Sequence, residues 1–329
     1  VAQTQTKGLK IMKQPIDHTK RINDQLKAKL QEIVAAMEAG TCAQDFEMPF
    51  STIGSRPYNP ATGHAATGTN ALIAMMMGHT HYSTYDGWQK LGYQVTGKAD
   101  MYLSRPKKFK IDADKSSSGK DEYRIGGFDS FAVWGFDTVT LRTPETDAEL
   151  KREPKHNIPA KPWTPPAIPK RSDVETRATV DAFIDNLGAS ISHAPEGRAF
   201  YRPSTDSVTM PVRELFKATS TSTATEAYYS TFLHELTHWT GHKSRCDRSD
   251  DRSKRGYAFE ELVAEIGAML MCADLGVTAS MRLDHVSYIA GWLRALDSDQ
   301  KYIFSAGKLA QDACNHMHSL QPENQTVAA

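Results

Sequence analysis

Apolar positions along the chain follow two periods, and the change between them suggests its organisation. Ile22, Leu26, Leu30, Ile33 and Met37 recur at steps of three and four, which predicts an amphipathic helix from about Asp17 to Glu38, closed by Gly40. A second apolar helix is expected at Ala71–Met77 and a short one around Tyr85–Leu91. From Gly92 the pattern turns to strands, at Gly92–Val95, Met101–Arg105, Tyr123–Ile125 and Phe131–Leu141, with Lys115–Lys120 as a polar loop. Pro154, Pro159, Pro162, Pro165, Pro166 and Pro169 then crowd one short segment, which can form neither a helix nor a central strand. The expected fold is therefore α+β in two domains: residues 1–152, a proline-rich linker over 153–171, and residues 172–329.

The second domain reads as mostly helical with a small sheet. Val174, Ala178, Val180 and Phe183 predict a helix ending by Gly188, and Ala199–Arg202 and Ser207–Met210 read as short strands. Helices are expected over Thr223–Thr240, about Tyr257–Leu275, His285–Ala295 and Ile303–His318. Thr223 and Glu226 have the spacing of a capping box, which would start the first of these.

That helix carries the chemistry. Phe232-Leu-His-Glu-Leu-Thr-His-Trp-Thr-Gly-His242 contains H-E-x-x-H, and residues four apart share one helix face. His234 and His238 can thus aim two imidazoles at one cation, while Glu235 can take a proton from water that the metal acidifies. Glu235 is the only formally charged residue between Glu226 and Lys243, and a charge in so apolar a helix is costly unless paired or used. Gly241 is expected to stop the helix.

A catalytic zinc ion needs a third protein ligand. His242 follows His238 by four, but beyond Gly241 it would be an irregular ligand or a neighbour of the ligands. The longer H-E-x-x-H-x-x-G-x-x-H pattern fails, because its last position is Ser244. The favoured candidate lies in Phe259-Glu-Glu-Leu-Val-Ala-Glu265. Glu261 and Glu265 share a face with Ala258, Ala268 and Cys272, and like charges at that spacing repel unless a cation lies nearby. Glu261 is assigned as the third ligand and Glu265 as the residue that orients a ligand histidine. Glu260 points about 100° away and is expected to be solvated. The implied cofactor is one Zn2+ ion, or another divalent metal in its place. Tyr228, Tyr257 and Tyr288 are candidates for stabilising an oxyanion, with no ground for choosing among them.

Composition narrows the partners only locally. Lysine plus arginine equals aspartate plus glutamate at 39 each, so no global charge points to nucleic acid. No apolar run approaches the ~18–20 residues needed to cross a bilayer, and the first residues lack a secretory apolar region. Four scattered cysteines form no C-x-x-C pair, which suits reduced thiols in a cytoplasmic protein. One segment stands apart. Lys98, Arg105, Lys107, Lys108 and Lys110 face the single acid Asp100, with Tyr93, Tyr102 and Phe109 interleaved. Cations along phosphates with aromatics stacked on bases would bind single-stranded nucleic acid.

These motifs resemble the ArdC antirestriction proteins of conjugative plasmids and other mobile elements. The resemblance rests on Phe232–His242 and Tyr257-Ala-Phe-Glu-Glu-Leu-Val-Ala-Glu-Ile-Gly267. It is looser over Arg56-Pro-Tyr-Asn-Pro-Ala-Thr-Gly-His64 with Gly68-Thr-Asn70, and Glu47-Met-Pro-Phe50 stands where that family usually shows a Pro-Trp repeat. It implies a single-stranded-DNA-binding first domain joined to a zincin-like metallopeptidase domain, acting in the recipient cytoplasm to protect incoming DNA from restriction. It adds Arg56, Tyr58 and Asn70 to the DNA-contact candidates. Two other readings stand beside it: a non-catalytic protein that coats DNA or blocks host restriction enzymes, its metal structural, and a DNA-dependent protease of the Spartan/SprT kind. The protein substrate is open in each.

Overall fold

A computed structural model describes residues 16–38, 55–111, 122–148, 155–167, 171–195, 197–218, 222–248, 253–277, 292–294, 296–297, 299 and 301–322. Gly40, Cys42, the 47–50 segment, the 115–120 loop, Tyr288 and most of the 285–295 helix lie outside them.

In the N-terminal half, helix α1 (His18–Glu38) begins where the Asp17 carboxylate accepts the Lys20 amide, and buries Ile22, Leu26, Leu30 and Ile33 along one stripe. A small hairpin, β1 (Tyr58–Asn59) and β2 (His64–Ala65), leads into α2 (Gly68–Met76), whose residues are nearly all buried. After β3 (Tyr82–Ser83), α3 (Tyr85–Leu91) and β4 (Tyr93–Val95) come two long antiparallel strands, β5 (Met101–Ile111) and β6 (Glu122–Gly135). Strand β7 (Val139–Leu141) pairs with β4, and a short helix α4 (Pro144–Ala148) follows.

The sheet order β3-β6-β5 leaves β5 at an edge. Its outward backbone groups are met by side-chain amides. Gln25 exchanges hydrogen bonds of 2.5 and 2.8 Å with the Tyr102 backbone, and Asn70 does the same for Ser104 at 2.7 and 2.8 Å. Over Tyr102 and Ser104 the edge is thereby closed to pairing with another strand. Beyond Ser104 the β5–β6 ribbon continues outward, with a register irregularity between Pro106 and Lys108.

The segment expected to be a linker is docked. Trp163 donates its amide to the Leu91 carbonyl and accepts from the Tyr93 hydroxyl, and its ring packs with Trp88, Phe136 and His81. This gives the N-terminal half a second apolar cluster around Trp88.

In the C-terminal half, α5 (Asp173–Asp185) starts at a Ser172/Glu175 capping box. Strands β8 (Ser190–Ala194), β9 (Phe200–Arg202) and β10 (Ser207–Pro211) form a sheet in the order β8-β10-β9. Strand β10 is parallel to β8 and antiparallel to β9, which is an edge. Helices α6 (Ala224–Thr240), α7 (Lys254–Leu275) and α8 (Tyr302–Ser319) complete the fold. Strand β8 was not expected: its alternation is weak and its residues are exposed or half-buried.

The protein is α+β, and one hydrophobic cluster runs through both halves. Helix α2 joins them by lying on α8. Gly68, at φ +50, approaches so closely that a Cβ there would lie 3.1 Å from the Gly307 carbonyl oxygen. Arg56 adds an ionic clasp, donating to both Asp274 oxygens at 2.5 and 2.8 Å and to Gln311 at 2.7 Å. No helix of the described residues is long and apolar enough to cross a membrane.

Candidate metal centre and nucleic-acid interface

Helix α6 forms as its capping box predicts, with Thr223 accepting the Glu226 amide and Glu226 accepting that of Thr223. Leu233, Leu236 and Thr237 bury one side against α7, where Leu262, Val263 and Ile266 are equally buried. The helices meet closely at Gly267, where a Cβ would fall 2.5 Å from Thr237 Cγ2. That approach brings together side chains 22 to 31 positions apart in the chain.

His234 and His238 stand with ring centroids 4.9 Å apart. His234 Nε2 lies 3.6 Å from one Glu261 oxygen, and His238 Nε2 lies 3.5 Å from the other. One donor atom from each of the three falls within 4.8 Å of the others. Donors about 2.1 Å from a tetrahedral centre sit roughly 3.4 Å apart, so two imidazoles and this carboxylate fit one divalent cation. Burial opposes charge on both sides, yet the contacts with Glu260 and Glu261 lift the His238 pKa to about 10. Burial likewise pushes Glu261 up, but its bonds to the two histidines hold it well below the ordinary carboxylate range. A site that keeps a proton between imidazole and carboxylate can exchange it for a cation.

Glu235, 5% exposed, accepts the Tyr201 amide through Oε2 at 2.8 Å. Tyr201 lies in the edge strand β9, so the carboxylate is fastened to the free edge of the small sheet. Glu265 Oε1 lies 3.4 Å from His234 Nδ1. The structure corrects two expectations. Glu260 is not a solvated residue: it lies 3.2 Å from His238 Nδ1 and is gripped by Arg248. His242 falls outside the three-donor group, with its Nδ1 2.8 Å from Ser244 Oγ and 3.9 Å from Asp206. Gly241 caps the end of α6, where the helix was expected to stop, at an ordinary φ of −71°. Of the tyrosines, Tyr228 is buried and bonded to His193, whereas Tyr257 is exposed one turn before Glu261 on α7.

Arg248 was missed because the sequence shows it only inside a polar run of alternating charge. No local period marks such a residue. Only its return to helix α6 gives it a role.

The expected nucleic-acid residues divide into two groups. Arg105, Lys107, Lys108 and Lys110 are exposed along β5, and Lys98 is exposed in the turn before it. Strand register places Lys108 opposite Ile125 and Lys110 opposite Tyr123, on one face of the ribbon; Phe109 and Arg124 pair on the other. Tyr123 is 66% exposed, and Phe109, Ile125 and Phe128 are about half exposed. The second group points inward. Arg56 is spent on Asp274 and Gln311, both amide atoms of Asn70 are spent on Ser104, and Tyr58 sits edge-on to the buried His81 ring. Tyr93 and Tyr102 are likewise packed, Tyr102 beneath the Arg21 guanidinium. Tyr123 and Phe128 supply the exposed aromatics instead. The alternation of lysines along β5 with Tyr123 and Ile125 on its partner strand was the available signal.

Comparison with known proteins gives the class first. Residues 178–309 match the family described as zincin-like metallopeptidase, and residues 22–133 match the N-terminal domain of anti-restriction factor ArdC. The protein therefore couples a zincin-like domain, holding the H-E-x-x-H helix, to an α+β domain that carries the ribbon. Uncharacterized protein y4eC of Sinorhizobium fredii is 33% identical over 306 residues, covering 89% of this chain and 91% of its own. Two Escherichia coli proteins named DNA primase TraC are 32% and 33% identical over 85% of this chain, which spans only 19% and 26% of their lengths. Among solved structures, ArdC of plasmid R388 aligns at a TM-score of 0.59 and 29% identity in its metal-free form, covering 89% of this chain and 96% of that one. Its Mn(II)-bound form aligns at 0.60 and 28%, covering 94% and 100%. The chain belongs to the ArdC family of antirestriction proteins.

Proposed function

We propose that this protein binds single-stranded DNA along the β5–β6 ribbon, protects it from restriction in the cytoplasm of a recipient cell, and carries a metal-dependent peptidase site. The observation that supports the peptidase half is the convergence of His234, His238 and Glu261, with Glu235 on the same helix as the two imidazoles. The donor set suits Zn2+, and the Mn(II)-bound relative extends the choice to other divalent ions. A divalent ion held there supplies Lewis acidity to a peptide carbonyl and acidifies water. Glu235 then acts as general base, accepting a proton from water and delivering it to the leaving amine. The amide of Tyr201 fixes one oxygen of that carboxylate, so Glu235 keeps its orientation while the other oxygen works. Glu265 steadies His234 from the rear of its ring. The test is metal content and peptide hydrolysis in the wild type, Glu261→Ala and Glu235→Gln proteins. Hydrolysis undiminished in Glu235→Gln would refute the assignment.

DNA binding is supported by the ribbon, where exposed cations and rings alternate on a two-stranded arm. Lysines follow phosphates and rings stack on bases with little sequence preference. Arg105, Lys107, Lys108, Lys110 and Lys98 are the cations assigned, with Tyr123 as the stacking group on the face of Lys108 and Lys110 and Phe109 on the opposite face. Arg56, Tyr58 and Asn70 are assigned to holding the fold. Fluorescence anisotropy with a labelled single-stranded oligonucleotide tests this, and affinity unchanged after loss of Tyr123 and Lys108 together would remove the ribbon from the account. A purely DNA-coating mode is separated from a proteolytic one by Glu235→Gln: full protection of incoming DNA by that variant makes coating sufficient.

A further inference from the structure

The ring of His238 is held from behind by a pair of charged residues. Its Nδ1 lies 3.2 Å from Glu260 Oε1, and Glu260 lies in the fork of Arg248, with Nε to Oε2 at 3.0 Å and Nη2 to Oε1 at 2.7 Å. The Arg248 side chain is 3% exposed and donates twice more, to Thr240 Oγ1 at 2.7 Å and to the Thr237 carbonyl at 2.5 Å. It therefore binds the last turn of α6 and the first half of α7 at once. Gly241 leaves the space for it: a Cβ there would lie 2.9 Å from Arg248 Nη2. Since the Gly241 backbone is one any residue can adopt, room for the guanidinium is what glycine provides.

We infer that Arg248 and Glu260 form a positioning pair that aims His238 at the cation, an inference that rests on the metal reading of His234, His238 and Glu261. An imidazole turns freely about its last torsion, so which nitrogen faces the ion depends on what the other one bonds. A carboxylate on Nδ1 fixes the ring and raises the basicity of Nε2. Glu260 alone could not serve. It is next to Glu261 and shares the site with Glu235 and Glu265, so an unpaired carboxylate there would be repelled by its neighbours or compete for the cation. The planar fork of Arg248 cancels that charge and fixes both oxygens in one plane, which a lysine could not do.

The experiment uses the full-length protein freed of metal and titrated with cobalt(II) in competition with a chromophoric chelator. The visible cobalt spectrum is recorded together with affinity. Glu260→Ala and Arg248→Met are each expected to weaken binding by roughly 10- to 100-fold and to alter the spectrum, because the His238 ring turns. The double variant should bind about as weakly as Glu260→Ala alone, since the two act as a unit. Gly241→Ala should weaken binding less than Arg248→Met, because the end of the Arg248 side chain can shift to admit a Cβ. If Arg248→Met fails to fold, Glu260→Gln keeps the shape without the charge and should still weaken binding and change the spectrum. Wild-type affinity and spectrum in the folded variants would overturn the inference while leaving the site intact. Wild-type cobalt binding by Glu261→Ala would overturn the metal reading itself.

Discussion

Replacing Arg56 with alanine separates a DNA contact from a fold contact at a residue where sequence and structure give different answers. The guanidinium makes two charge-assisted bonds to Asp274 and one to Gln311, and the side chains of the ion pair are 10% and 16% exposed. Removing one member of a buried pair costs about 3–5 kcal/mol, because the survivor is left desolvated. Asp274 would retain His318, 2.8 Å away, which lowers the expected cost to roughly 2–3 kcal/mol. At about 2–4 °C per kcal/mol, the melting temperature should fall by roughly 4–12 °C. Asp274→Asn should cost a similar amount, and the double variant less than the sum of the two. Single-stranded DNA affinity, measured by anisotropy below the lowered transition, should stay within about twofold of wild type, because the ribbon is untouched. A melting temperature equal to wild type combined with a large loss of DNA affinity would refute this reasoning and return Arg56 to the interface.

On the ribbon, Tyr123→Ala should weaken single-stranded DNA binding by about 1–3 kcal/mol, whereas Lys108→Ala should reduce the salt dependence by about 0.7 in slope; anisotropy across a salt series reads both. Glu261→Ala should lose the divalent ion, whereas Glu235→Gln should keep it and lose hydrolysis, as checked by elemental analysis beside a peptidase assay. Gly267→Ala should destabilise by about 1–3 kcal/mol through collision with Thr237, read by chemical denaturation. Burial lowers the pKa of His81, packed against Trp163, below its ordinary 6.5. Its contribution to stability is therefore complete above about pH 6.5 and is lost as pH falls through the depressed value. His81→Gln should flatten the acid limb of the melting-temperature profile relative to wild type, and an unchanged limb would exclude His81 as its source.

The elements whose evidence lies within a few turns of chain were legible in the sequence. The stripe of α1, the capping box of α6 and the pairing of His234 with His238 all depend on spacings of three and four residues, which the order of residues alone reveals. The approach of Glu261 could be argued from small residues beside two carboxylates, because that pattern already asks for a close neighbour and a cation. The sequence could not show which polar residues face inward. Arg56, Asn70, Glu260 and Arg248 look like surface chemistry until their partners, 8 to 255 positions away, are known. The same holds for the proline-rich segment, whose composition says extended but whose Trp163 is captured by the aromatic cluster around Trp88. Periodicity fixes a side chain's direction relative to its own helix or strand. Whether that direction meets water, a phosphate or an opposite charge is decided only when distant elements pack.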